Sequence, residues 1–595
     1  MKSLSNQTTS WFAVPPLGGR SIEPPKGGTP NLSLRSISLF ILLAATTAAA
    51  QQPTTQTRDD SISGHVVNEA GQPIPGAAVS LSVMGGTLGQ RTSTDNEGNF
   101  KIEGLDGGIY RIYLSASGYV RLFPNPSAPT YRPGDKAELT MIKGGVIAGN
   151  VININGEPLV NLQVRAIQIR DADGNRVTVA DFTPPKFTDD RGYYRIWALP
   201  PGTYVIAAGG PGQYFGAANP FANDAMTYAP ASTRDTAAEV IVRSNQEVTV
   251  DVRYRGERGR SISGKISGVP PPSSYYPSVN LTDAQSRMIV TTTGVTNQEK
   301  TFQLDGISDG DYEVVASGGG GPKDEIVASS PRRVSVRGAD VTGLDLALAP
   351  MASIDAHLNL EADSKLNCGR RRDSAIRETM ITLQRTKPEE KPSKDKPSDQ
   401  PDVSVSTASL YATVANEKGD VRFRNVSPAT YRFEVRLPAA GWYLKDLSIA
   451  KPAANIARNG IGLRQGEKVA GITIAITEGG ASLRGKLTLA EGETPPQNLR
   501  MYLVPTERDH ADNPLRFFED VVAGDATFAI GNIAPGKYWL LAQPAERVDE
   551  KTIKSPRTDN DYRAKLLKDA GALKNEITFK PCERTVDYEF RYPGK

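Results

Sequence analysis

Leu199-Pro200-Pro201-Gly202-Thr203-Tyr204 is one of five versions of a single phrase. The others are Leu105-Asp106-Gly107-Gly108-Ile109-Tyr110, Ile307-Ser308-Asp309-Gly310-Asp311-Tyr312, Val426-Ser427-Pro428-Ala429-Thr430-Tyr431 and Ile533-Ala534-Pro535-Gly536-Lys537-Tyr538. The steps between successive tyrosines are 94, 108, 119 and 107 residues. Each step is the size of one small β-sandwich and far longer than a solenoid repeat. The chain therefore reads as all-β: a tandem array of about five immunoglobulin-sized β-sandwich modules, with one short C-terminal helix.

Immediately before each phrase stands a short alternating run: Asn99-Phe100-Lys101-Ile102, Tyr193-Tyr194-Arg195-Ile196, Thr301-Phe302-Gln303-Leu304, Val421-Arg422-Phe423-Arg424 and Thr527-Phe528-Ala529-Ile530. Period two with one apolar side is a half-buried strand. A second alternating strand follows each tyrosine, as in Tyr110-Arg111-Ile112-Tyr113-Leu114, and the two are expected to pair as an antiparallel hairpin. Turn signals precede the aromatic run in three modules: Thr94-Asp95-Asn96-Glu97-Gly98, Thr188-Asp189-Asp190-Arg191-Gly192 and Asn416-Glu417-Lys418-Gly419. Asp or Asn opens such a turn by bonding its own backbone, and Gly supplies positive φ.

The expected divisions are a leader with signal peptide over 1–50, a linker over 51–60, and sandwiches over 61–143, 144–256, 257–350, 351–478 and 479–595. The leader reading rests on Arg35 ahead of the apolar run Ile37 to Ala45, with cleavage after Ala50. That run is too short to span a membrane, which takes about 20 residues, and no transmembrane segment is expected in the mature chain. Residues 387–402, charged and punctuated by proline, read as a disordered insertion. Residues 559–573 read as the helix, with Asp559 as its cap. A closing strand, a few residues and the next opening strand join the modules; junctions this short favour a stiff rod but fix no angle.

Composition narrows function. Lys plus Arg number 69 against 66 Asp plus Glu, a net charge of +3, so nucleic acid is excluded as an expected partner. Three histidines and two cysteines leave little material for metal sites or general-base work, and no cofactor is expected. The five tyrosines, Tyr110, Tyr204, Tyr312, Tyr431 and Tyr538, read as scaffold: the ring fills a sandwich edge while the hydroxyl bonds backbone near the turn.

The order Gly-x-Val, Gly-x-Pro-(Ile/Leu), Thr-Asp-x-x-Gly-x-(Phe/Tyr), (Leu/Ile)-x-Pro-Gly-x-Tyr resembles the carboxypeptidase regulatory-like domain family, a transthyretin-like sandwich. Ile62 to Tyr119 carries nearly every motif position, and Val146 to Ala208 nearly as many. The third module replaces the Thr-Asp turn with Asn297-Gln298-Glu299-Lys300, the fourth has Ala429 for the glycine, and the fifth shortens the turn to Gly524-Asp525. The resemblance implies kinship with carbohydrate-binding-like folds, in which the sandwich itself carries no chemistry.

Candidate sites are few. Gly306-Ile307-Ser308-Asp309-Gly310 has the form of a nucleophile elbow, which needs a strand leading into a helix; here it aligns with Gly104 to Gly108 and precedes a strand. His65, His357 and His510 have no partner at ligand spacing. Asp171-Ala172-Asp173-Gly174-Asn175 opens like a calcium loop without the distal glutamate and reads as a hairpin turn. Cys368 and Cys582, in an oxidising compartment, either bridge the fourth and fifth modules or stay lone thiols. Loop aromatics are candidate sugar platforms or pins for their own loops: Tyr214, Phe215, Phe221 and Tyr228 in the second module, Tyr275 and Tyr276 beside a triple proline, and Phe517 and Phe518 in the fifth module.

Three functional readings follow. The first is a non-catalytic, exported array, periplasmic, cell-surface or extracellular, that binds polysaccharide or another envelope ligand through its loops. The second is a structural or protein–protein scaffold whose partner is an envelope protein. The third is an accessory module for a separately encoded peptidase or TonB-dependent-type receptor. Oligomeric state is not legible in the sequence.

Overall fold

The computed structural model describes residues 60–592 except 85, 87, 122–128, 178–184, 213–218, 269–276, 286–287, 296–299, 320–324, 364, 367, 369–374, 387–410, 451–453, 490–493 and 548–552. The leader reading, the proposed insertion at 387–402, and Tyr214, Phe215, Tyr275 and Tyr276 lie outside the described residues.

The first module shows the plan, from which the third departs only in that Val327–Ala328 pairs with strands of both layers and joins them. Its strands are β1 (Ile62–Val67), β2 (Ala78–Val83), β3 (Leu88–Ser93), β4 (Asn99–Ile102), β5 (Tyr110–Ser115), β6 (Tyr119–Arg121), β7 (Thr130–Tyr131) and β8 (Lys136–Lys143). They form two sheets, β4-β1-β8-β6 and β3-β2-β5-β7, that face each other across Val66, Val79, Phe100, Ile102, Tyr110 and Met141. Within them β1 and β8 run parallel and β2 and β5 antiparallel.

The parallel pairing of first and last strands recurs in each later module. Gly145–Ile152 pairs with Glu247–Thr249 and Val252–Arg253, Arg260–Gly268 with Val341–Pro350, Ala352–Glu361 with Lys468–Glu478, and Ala481–Thr488 with Arg584–Arg591. A small residue in the opening strand makes the approach possible. A Cβ added at Gly64, Gly149, Gly264 or Gly485 would lie far inside van der Waals contact of the closing strand's carbonyl oxygen at Ala137, Val250, Leu344 or Tyr588. Ala356 holds the same place in the fourth module.

The hairpin expectation is corrected by the register. β4 pairs with β1 and β5 with β2, so the tyrosine phrase between them crosses from one sheet to the other. The later modules repeat this, for Tyr193–Leu199 pairs with the opening strand while Gly202–Ala208 pairs in the opposite sheet. The inward faces of the two strands have to meet across the core, which strands side by side in one sheet do not do.

At the crossing each tyrosine hydroxyl donates to the carbonyl four residues earlier. Tyr110, Tyr204, Tyr312, Tyr431 and Tyr538 bond Asp106, Pro200, Ser308, Ser427 and Ala534 at 2.8, 2.6, 2.8, 2.9 and 2.8 Å. Two residues before each acceptor the backbone turns left-handed: Gly104 (φ 71°), Ala198 (59°), Gly306 (73°), Asn425 (56°) and Asn532 (56°). The turn ahead of the aromatic strand is an Asx turn: Asp95 Oδ1 accepts from the amides of Glu97 and Asn99, and Asp189 and Asn416 do likewise.

The helix Asn560–Leu573 starts at Asp559, whose side chain accepts from the Tyr562 amide. Tyr562, Leu566 and Ala570 seat it on Tyr502, Val504 and Leu541, the outer side of the fifth module's second sheet. A one-turn helix, Ile456–Asn459, was not legible in the sequence.

Replacing Tyr538 by Phe removes its bond to the Ala534 carbonyl and the longer one it accepts from Arg516 and is expected to cost about 1 kcal/mol; alanine, which also vacates the ring's volume, about 3–5 kcal/mol. Urea titration of the two variants measures both. Burial pushes the Tyr538 phenol up to about 12 and raises Tyr194 and Tyr312 as well. The folded chain thus keeps protons that the unfolded chain releases near about pH 10. Stability from these groups is complete below that pH and is lost as pH climbs through the folded values. Urea midpoints should therefore fall steadily between about pH 10 and 12, and a flat profile there would contradict the burial.

Candidate functional site

The second module's long loop folds against its own sandwich and against the third module. Phe221 sets its ring edge-on to Tyr254, centroids 5.7 Å apart, and the Tyr254 hydroxyl donates to Asp224 Oδ2 at 2.9 Å. Tyr228 is only 7% exposed and packs with Met226, Val205 and Ile167 against the third module's core. Burial raises its phenol pKa. A ring so enclosed offers no face to a sugar, which corrects Tyr228 as a platform residue. Phe517 and Phe518 are corrected on the same ground, since both are core residues.

Between the second and third modules Ile167, Met226, Tyr228, Val290 and Tyr312 line a small cavity beside the largely buried ion pair Arg234–Asp283. Its volume, about 20 Å³, is room for a single water and too little for a saccharide.

The other motifs are absorbed by structure. Gly306 to Gly310 is the third sheet crossing, and the Ser308 carbonyl is the acceptor of the Tyr312 hydroxyl. Asp171 caps a turn through the amides of Asp173 and Asn175. His65 bonds the Glu97 carbonyl, His357 faces Asp420, and His510 sits between Glu507 and Arg516. Among the described residues no group of three or more His, Cys, Asp or Glu is placed to hold a metal ion.

Hydrogen bonds between side chains and backbone fasten the modules to one another. Ile326 of the third module donates its amide to Asn425 Oδ1 of the fourth at 2.9 Å, and Gln465 Nε2 reaches back to the Ala349 and Pro350 carbonyls at 3.1 and 3.0 Å. Asn532 of the fifth donates to the Ala439 and Trp442 carbonyls of the fourth at 3.0 and 2.6 Å. Asn425 and Asn532 are left-handed crossing residues, and so is Gly306, where a Cβ would strike the Ala222 carbonyl of the second module. The crossing therefore also docks the preceding module. Sequence reading missed this role, although Gly or Asn two residues before the tyrosine's acceptor is its trace in every module but the second, which has Ala198.

The rod expectation also needs correction, because the first module packs on the fourth. Arg132 donates through Nη2 to the carbonyls of Glu378 and Leu437 at 3.0 and 2.7 Å. Arg436 answers with a bond to the Thr130 carbonyl at 2.9 Å, and Arg377 with one to Gly107 at 2.8 Å. Cys368 and Cys582 form a disulfide between the fourth and fifth modules, with Cα atoms 4.7 Å apart. Arg584 bonds the Cys368 carbonyl at 3.0 Å beside it.

One outward aromatic escaped the sequence reading. On Tyr193–Leu199 the inward residues are Tyr194 and Ile196, so Tyr193, Arg195 and Trp197 face out, and Trp197 is 51% exposed. Lys186 Nζ lies 5.1 Å from its ring centroid. Arg195 grips Glu247 through two bonds of 3.2 and 3.0 Å, which hold the Glu247 carboxyl below its ordinary pKa.

Known proteins add a family for the first module. Residues 61–124 match the family model of the carboxypeptidase regulatory-like domain. This domain runs from β1 through β6 and holds the first tyrosine crossing. No curated protein sequence matches the chain. Among solved structures it is similar to the Bacillus anthracis TIE protein (15% identity, TM-score 0.14, 49% of this chain and 51% of that one). Others are GBS52, the minor pilin of Streptococcus agalactiae (15%, 0.18, 36% and 98%), and BcpA, the major pilin of Bacillus cereus (12%, 0.13, 48% and 98%). The chain spans about half the length of the TIE protein chain it matches.

The bridge makes a stability prediction. It closes a loop of 214 residues, for which chain-entropy loss in the unfolded state gives about 5 kcal/mol. Replacing both Cys368 and Cys582 by alanine should lower the unfolding midpoint of the fourth and fifth modules and leave the first three unmoved, as calorimetry would resolve. Thiol reagent added to the denatured, unreduced protein should label neither cysteine.

Proposed function

We propose that this chain is a non-catalytic, exported scaffold of β-sandwich modules that holds surfaces in a fixed arrangement for an envelope partner. The observation that carries the reading is the contact between the first and fourth modules, where Arg132, Arg377 and Arg436 spend their donors on carbonyls across the seam. A string of independent binding beads has no use for such a clamp, whereas a device that sets distances between surfaces does. Export is supported by the inter-module disulfide, a bond that persists in oxidising compartments. No helix among the described residues is long and apolar enough to cross a membrane.

Small-angle scattering of the mature chain tests the reading. The parent should scatter as one rigid body, and the Arg132→Ala, Arg436→Ala double variant should show a larger radius of gyration with unchanged circular dichroism. A parent that scatters as flexible beads, or a double variant with the parent's curve, overturns it.

A further inference from the structure

The scaffold reading leaves Trp197 unused. A lone exposed apolar side chain needs no explanation, but Trp197 shares its face with groups of complementary chemistry. Tyr193 projects from the same strand four residues away, roughly 13 Å at 3.3 Å per residue. Arg195 projects between them and is neutralised by Glu247. The pair consumes Nε and Nη2 of the guanidinium, so Nη1 remains a donor and the Glu247 oxygens keep spare lone pairs. Lys186 stands over the indole and makes no ion pair among the described residues.

We propose that the outward face of Tyr193–Leu199 is a docking strip for an acidic polysaccharide. A pyranose ring presents an apolar C–H face, which the exposed part of the Trp197 indole matches. A uronate carboxylate on that ring supplies the anion that Lys186 lacks. Arg195 and Glu247 take sugar hydroxyls as donor and acceptor, and Tyr193 meets a ring further along. The strip lies on the face of a sheet, so a chain that crosses it suits it better than a monosaccharide. A nucleic acid would need several unpaired cations here, and Arg195 is already spent on Glu247. The site lies on a sheet rather than in the loops, and it stands independently of the scaffold reading.

Native gel electrophoresis of the mature chain through polygalacturonate, with dextran as the neutral control, tests it. Mobility should fall in polygalacturonate and not in dextran, and added salt should restore it. Trp197→Ala should abolish the retardation, and Lys186→Gln should weaken it several-fold. Melting curves check that both variants fold, as expected for outward positions. No retardation in polygalacturonate, equal retardation in dextran, or folded variants that both behave as the parent would each overturn the proposal. Scattering of the same samples reports on the scaffold separately, so failure of one reading is distinguishable from failure of the other.

Discussion

Each module is closed by its first and last strands lying parallel, and in four of the five that closure depends on a missing side chain, with alanine at the same place in the fourth. At Gly64, Gly149, Gly264 and Gly485 the closing strand's carbonyl occupies the space a Cβ would need. The contact is long-range in sequence, so the module's loop entropy is lost before this pairing rewards it. Parallel neighbours also mean that the chain enters a module at one end of the strand pair and leaves at the other. The next opening strand follows within a few residues, as from Lys143 to Gly145 or Pro350 to Ala352. Tandem packing of neighbours is built into the strand order.

The tyrosine crossing ties that closure to the second sheet. The phrase changes layers, the ring fills the edge, and the hydroxyl closes the corner on the carbonyl four residues back. The left-handed residue just ahead of the acceptor gives the bend. Because the bend protrudes, it also meets the module before it, as Asn532 does at Ala439 and Trp442. One short segment therefore serves the sandwich and the seam together, and the aromatic punctuation survives in modules whose other motifs have drifted.

The strands, the five tyrosine phrases, the Asx turns and the capped helix were legible because each follows from local periodicity, a turn residue or a cap. The layer change was not. An aromatic strand followed by a tight turn and another strand looks like a hairpin until partners from elsewhere in the chain are known. Seams are equally silent in sequence, since Arg132 and Arg436 look like ordinary exposed cations until the fourth module's carbonyls appear opposite the first. Loop aromatics were overrated for a related reason: Tyr228 sits in a long stretch rich in Ala and small polar residues, yet the neighbouring module buries it. Trp197 was underrated although strand parity, read from Tyr194 and Ile196, already points it outward.

The bridge between Cys368 and Cys582 has a mechanical side. Tension applied along the chain would pass from one sulfur to the other and bypass the 214 positions that separate them. At roughly 3.4 Å per extended residue, about 700 Å of contour stays in reserve. Under load, the fourth module past Cys368 and most of the fifth would stay slack until that covalent shortcut is cut.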